Sequence, residues 1–246
     1  MITFSKKFKT PLPLEWIHKE QVIRLNPLKR ARNIKLTYDS KRNHFRLTTP
    51  VYITKKEIEE FLMRADAWLD DKIQQNNESV NLDHGSIVPV LGQACRIHFQ
   101  KDIKRKIIFG TDIITVFDHQ EKYTELLEDG IKKKALEFLT KKSHEFAEML
   151  EVSIQKIVVR NTYSRWGSCS ASGNLSYSWR LIFAPLEVLE YVCAHEVSHR
   201  KYMDHSKAFW QTVASLSPHY HKHRSWLKAE GKQLFRYRFY SRSKIK

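Results

Sequence analysis

Glycine and proline are scarce in this chain, seven of each in 246 residues. That excludes long flexible linkers and Gly- or Pro-rich low-complexity tracts, and no internal sequence repeat is evident. Cysteine is scarcer still: Cys95, Cys169 and Cys193 are widely spaced, odd in number, and include no CxxC pair. This builds neither a disulfide framework nor a cysteine-ligated structural zinc, and it fits a reducing compartment. No run of about 18 apolar residues occurs, so no transmembrane helix and no membrane partner are expected. The opening Met1-Ile2-Thr3-Phe4-Ser5-Lys6-Lys7 lacks the apolar stretch of a secretory signal, and the expected location is cytoplasmic. Acidic residues are in deficit, 27 against 43 Lys and Arg, for a net charge of +16. A field of that sign attracts nucleic acid, nucleotides or other anions, and it equally keeps a chain in solution.

What is present divides by composition near residue 120. The first part reads as strands. Residues 31–38 and 44–50 flank the polar Asp39-Ser40-Lys41-Arg42-Asn43 and predict a hairpin. Thr54 and Glu57 have capping-box spacing ahead of Ile58, Phe61, Leu62, Ala65 and Trp68, which predicts one helix over 55–75. Two short strands are expected in 86–100 around Leu91-Gly92-Gln93, and a further hairpin over 103–117. After residue 120 the pattern turns helical: a long helix over 121–149, broken if anywhere at Gly130, and strands near 157–159 and 175–179. Pro185 suits the first turn of a following helix, Ser206 the cap of another, and Pro218 the start of the last. The expected fold is α+β: a β-rich region with one helix over 1–120, then a helical catalytic region with a small antiparallel sheet over 121–246. The two can pack as one unit.

The most informative residues are His195-Glu196-Val197-Ser198-His199, followed by His205. On an α-helix, positions i and i+4 share a face, so His195 and His199 offer two imidazoles to one ion. Glu196 lies between them and can act as general base toward an activated water. His205, past the helix end, supplies a third ligand if a turn folds it back. Three protein ligands with an open position suit catalytic zinc rather than structural zinc, and other divalent metals fit the same donors. The apolar neighbours Leu189, Val192, Cys193 and Ala194 argue against a merely solvated helix. The spacing from His199 to His205 matches that of metzincins, but Tyr202 stands where those have a glycine. Glu230 is the alternative third ligand.

A second segment, Arg165-Trp166-Gly167-Ser168-Cys169-Ser170, reads as a tight loop with free N–H groups suited to an anion or oxyanion. Arg165 and Arg180 can clamp a carboxylate or phosphate, with Trp166 and Ser168 beside them. A structural turn with Trp166 in the core is the equal alternative. His219, His221 and His223 read as a solvated helix start rather than a second metal site. In the tail, Arg236, Arg238, Arg242, Lys244 and Lys246 alternate with Phe235, Tyr237, Phe239 and Tyr240. That is a nucleic-acid grip or a terminal edge strand.

Taken in order, Arg165 to Ser170, Trp179-Arg180-Leu181, Ala184-Pro185, His195 to His199, His205-Ser206 and Phe209-Trp210 resemble the YgjP-like metallopeptidase family. Arg30-Ala31-Arg32, Ala67-Trp68-Leu69 and Leu91-Gly92 extend the likeness into the first half. SprT-like proteins, which act on DNA-bound proteins, are similar more distantly. Val197 and Ser198 depart from the more apolar pair usual in the family. The resemblance implies a zincin-type region with His195, His199 and His205 as ligands and Glu196 as base. It implies a zinc-dependent peptidase acting on peptide, and leaves nucleoside-triphosphate pyrophosphatase activity at the same site as the alternative. A nucleic-acid-associated protease is a third reading.

Overall fold

A computed structural model describes residues 13–39, 44–77, 79–162 and 164–239. The chain forms two compact units, Met1–Glu78 and Ser79–Lys246. The compositional boundary near residue 120 therefore falls inside the second unit. The strands over 87–117 belong with the helices that follow them because they share one hydrophobic core.

In the first unit, β1 (Glu15–His18), β2 (Gln21–Leu28), β3 (Lys35–Asp39) and β4 (His44–Pro50) make a sheet in the order β1-β2-β4-β3. β2 and β4 are parallel, and the outer pairs are antiparallel. The expected β3–β4 hairpin forms, and residues 40–43 of its turn lie outside the described residues. Lys19 and Glu20 both have positive φ, 48° and 61°, the two-residue turn that matches strand twist. Alternate residues Ile23, Leu25, Phe45 and Leu47 face inward onto Ile58, Leu62 and Leu69. The single helix expected over 55–75 is two, α1 (Lys55–Arg64) and α2 (Asp66–Asn77), jointed at Ala65 with φ −91° and ψ 0°. The joint moves the buried position from Trp68, 37% exposed, to Leu69, 1% exposed. The capping box forms: Glu57 N–H donates to Thr54 Oγ1 at 3.2 Å, and Thr54 N–H to Glu57 Oε2 at 2.7 Å.

The second unit begins with β5 (Val80–Asn81), then β6 (Ile87–Val90), β7 (Gln93–Gln100), β8 (Lys106–Phe109) and β9 (Ile113–Phe117). The last four form a sheet in the order β6-β7-β9-β8 with a parallel central pair. This is the same connectivity as in the first unit, although no sequence repeat announces it. Leu91 and Gly92 make the β6–β7 turn with φ of 52° and 79°. A side chain on Gly92 would also meet Leu186 N at 3.2 Å.

α3 (Tyr123–Met149) runs unbroken through Gly130. A Cβ there would lie 2.6 Å from Ile107 Cδ1, so glycine admits a close approach of β8 rather than a helix break. The carboxylate of Asp118 holds the lead-in to α3, accepting from Gln120 N at 3.2 Å and Lys122 N at 2.9 Å.

A third sheet is mixed rather than antiparallel as expected: β12 (Asn174–Ser178) is central, parallel to β10 (Lys156–Arg160) and antiparallel to β11 (Gly167–Cys169). A 3-10 turn over Trp179–Phe183 leads to α4 (Leu186–Ser198). Pro185, its N-cap, makes no side-chain capping bond. Packing holds α4 instead, since Val188, Leu189, Tyr191, Val192, Cys193, Ala194 and Val197 are all buried. Each of the buried valines and Leu189 contributes about 1.5–3 kcal/mol, against about 1 for a cap. α5 (Lys207–Leu216) starts at Ser206, whose hydroxyl accepts from Phe209 N. α6 (Tyr220–Glu230) starts two residues after Pro218. A 3-10 turn over Gly231–Arg236 leads into β13 (Tyr237–Arg238), which pairs in parallel with β5.

Candidate active site

α4 is buried along most of its length, and its polar residues Glu196 and Ser198 are buried with it. His195 and His199, one turn apart, have ring centroids 5.0 Å apart. Beyond Ser198 the chain stays coiled for one more turn, with Arg200 N–H donating to Val197 O and Tyr202 N–H to Ser198 O. Asp204 Oδ1 then accepts from Ser206 N at 3.2 Å and starts α5. This carries His205 back over the helix. Its Nε2 lies 3.2 Å from His195 Nε2. Tyr202 is not among the residues of positive φ, so this turn needs no glycine. The backbone carbonyl of Tyr202 instead accepts from His199 Nδ1 at 3.0 Å, which leaves Nε2 free to face the other two rings.

One ligand atom from each of His195, His199 and His205 lies within 4.8 Å of the others, and these three can hold a metal ion. The donor set passes a simple test of fit. Two nitrogens at zinc bonding distance in a tetrahedron are about 3.3 Å apart, close to the separation of the His195 and His205 nitrogens. Burial drives the His195 pKa down to about 3, helped by repulsion from His199, His205 and Arg224. Burial also lowers that of His199. Those two imidazoles are thus neutral at pH 7, as ligation requires. His195 Nδ1 is buried without a hydrogen-bond partner.

Phe209 is the floor of the site, its ring centroid 5.0, 4.5 and 4.8 Å from those of His195, His199 and His205. Trp210 forms a wall 5.6 Å from His195 and 5.7 Å from His205. In the sequence both stand out only as the Phe209-Trp210 pair of the family resemblance, four and five residues after His205, with no role attached.

Glu196 is 5% exposed and faces β11. Burial pushes its pKa up to about 8, and the Arg165 guanidinium pulls against that rise. The segment expected to be an anion-binding loop is therefore different in kind. Gly167–Cys169 is an edge strand paired to β12, so part of its backbone is already bonded. Arg165 is exposed and within electrostatic reach of Glu196. Ser168 sits opposite Ser176 in the sheet. Trp166 turns away, stacked on Phe235 at 5.3 Å and packed on Gly231.

Arg180 is not at the site. It is buried, and its guanidinium donates to Asn161 Oδ1 at 3.2 Å, to Leu234 O at 3.3 Å and to Tyr237 O at 2.9 Å. Its role is to bind the C-terminal segment. The tail aromatics are likewise packing residues. Tyr237 is buried, and Phe239 lies 5.7 Å from Trp179, so neither is free to stack on bases. Tyr240, Arg242, Lys244 and Lys246 lie outside the described residues. His219 and His221 are exposed and His223 packs toward Tyr191, with no second three-residue metal group among the described residues. Glu230 belongs to the end of α6, outside the histidine group.

The class these comparisons define is a metal-dependent hydrolase of metallopeptidase type. The chain belongs to the YgjP-like family: residues 32–230 match its metallopeptidase domain. No curated protein matches the chain. Among solved structures, the metallopeptidase zymogen of Pyrococcus abyssi abylysin is similar at 18% identity and a TM-score of 0.34, over 37% of this chain and 95% of that one. No helix among the described residues is long and apolar enough to cross a membrane.

Proposed function

We propose that the chain is a zinc-dependent hydrolase cutting peptide bonds, with His195, His199 and His205 holding the ion and Glu196 as general base. The observation that carries this is the convergence of three imidazoles beside a single buried carboxylate. A bound zinc ion supplies Lewis acidity that activates water and polarises the scissile carbonyl. Glu196 takes the proton from the attacking water on its carboxylate and passes it to the leaving amine. A divalent cation nearby favours the ionised form that this needs, against the burial that otherwise keeps the carboxyl protonated. The Tyr202 carbonyl fixes the tautomer of His199. Arg165 supports the substrate side of Glu196, and the free edge of β11 suits an extended peptide better than the central strand β12. Three free cysteines fit a reducing cytoplasm.

The test pairs wild type with Glu196→Gln on a quenched peptide library and, separately, on nucleoside triphosphates. Peptide turnover should fall by about a hundredfold or more with zinc retained, while His195→Ala and His199→Ala lose zinc and turnover together. Pyrophosphate release that vanishes in Glu196→Gln, with peptides untouched, would replace this reading by the nucleotide one. That alternative keeps Arg165 as a phosphate ligand and loses Arg180, already committed to the C-terminal segment.

A further inference from the structure

A second arginine, which carried no signal in the sequence, packs on the Trp210 wall of the site. The Arg224 guanidinium, from α6, lies 4.8 Å over the Trp210 ring. Trp210 in turn sits 5.6 Å from His195 and 5.7 Å from His205. Arg224 is exposed. Among the described residues no carboxylate lies within ion-pair distance of it.

An exposed guanidinium with no carboxylate partner, close to a site that takes a divalent metal, adds to a positive field that attracts an anion. Stacking on an indole holds the planar guanidinium in place while leaving its N–H fork available. That fork matches a carboxylate with two parallel hydrogen bonds. Arg165 stands near Glu196, so the site has a guanidinium toward its glutamate and another toward its Trp210 wall.

We infer that Arg224, seated on Trp210, is a specificity residue that binds a carboxylate of the substrate beside the bond to be cut. This rests on the peptidase reading and narrows it to peptides that are acidic next to the scissile bond.

The experiment uses the full zinc-loaded chain and matched peptides bearing Glu or Gln at each flanking position, each with a free or amidated C-terminus. The Glu peptide should be cut with kcat/KM about tenfold above its Gln counterpart, the discrimination typical of one charge-assisted contact. Arg224→Gln should bring the Glu/Gln ratio to near unity, and Arg224→Glu should reverse it toward Lys-bearing peptides. Equal cleavage of the pairs by wild type, or a preference that survives both variants, overturns the inference. If no peptide is cut, binding of the same pairs to zinc-loaded Glu196→Gln separates the two claims. Tighter binding of the acidic peptide that Arg224→Gln removes sustains the role of Arg224 while the peptidase reading fails. Equal binding removes Arg224 as well.

Discussion

Gly167 in β11 lies flat against the side chain of Glu196 in α4. A Cβ at Gly167 would be 2.6 Å from Glu196 Cγ and 2.7 Å from Cδ, closer than carbon atoms pack. The edge strand therefore sets where the carboxylate can point. Gly167→Ala should push Glu196 off its position without touching the histidines. Displacement of a catalytic group by about 1 Å can cost about a hundredfold, so kcat/KM should fall by that order while zinc stoichiometry stays at one ion per chain. Full activity in Gly167→Ala would mean that the glutamate is not held by this contact.

Phe209 touches all three imidazoles and lies nearly parallel to His199, at 4.5 Å and 30°. Phe209→Leu keeps an apolar floor but removes the flat surface. Loosening groups that orient metal ligands costs about 10–100-fold in affinity. Zinc competition with a chromogenic chelator should show weakening of at least about tenfold, with circular dichroism unchanged. An unaltered zinc Kd would reduce Phe209 to core packing.

The helix-borne part of this site was legible in the sequence, and the reason is periodicity. His195, Glu196 and His199 follow from the turn of one helix, and Ser206 marks the next by its capping chemistry. The hairpins at Leu91-Gly92 and after Phe109 were legible because turn residues sit between alternating strands. What was not legible depended on distant contacts. Arg165 and Arg180 look alike as sequence, yet one reaches Glu196 and the other is sequestered by carbonyls more than fifty positions away. Arg224 carried no local signal, since only the fold brings α6 to Trp210. The glycine at 130 looked like a break because Ile107, which occupies its missing side chain, is remote in sequence.

Asp118 ties the start of α3 to β9, and its protonation should be visible in acid. Burial alone would raise its pKa, but the N–H groups of Gln120 and Lys122, with Arg105 and His119 nearby, bring it below the ordinary 3.8. A carboxylate with a lowered folded pKa contributes stability above its unfolded value and loses it as the pH falls through the folded one. Asp118→Asn, which keeps one acceptor oxygen, should cost about 1–3 kcal/mol at pH 7. The gap between variant and wild type should start to narrow as the pH falls below 3.8 and close only below the lower folded pKa, where both side chains are neutral. Denaturant unfolding at pH 7 and at a pH well below 3.8 measures this. A gap of the same size at both would assign the loss to shape rather than charge.

Arg180 separates a structural arginine from a substrate-binding one. Its side chain gathers Asn161, the carbonyls of Leu234 and Tyr237, and the faces of Trp179 and Phe235, 4.4 and 5.3 Å from the guanidinium. Arg180→Ala leaves those acceptors unmatched, at about 1–3 kcal/mol for each that stays buried. Melting should drop by several degrees, and hydrogen exchange at Tyr237 and Leu82 should accelerate as β13 leaves β5. KM should stay near the wild-type value at temperatures where the variant remains folded. A raised KM with an unchanged melting temperature would return Arg180 to the substrate and leave the C-terminal segment held by its β5 pairing and aromatic packing.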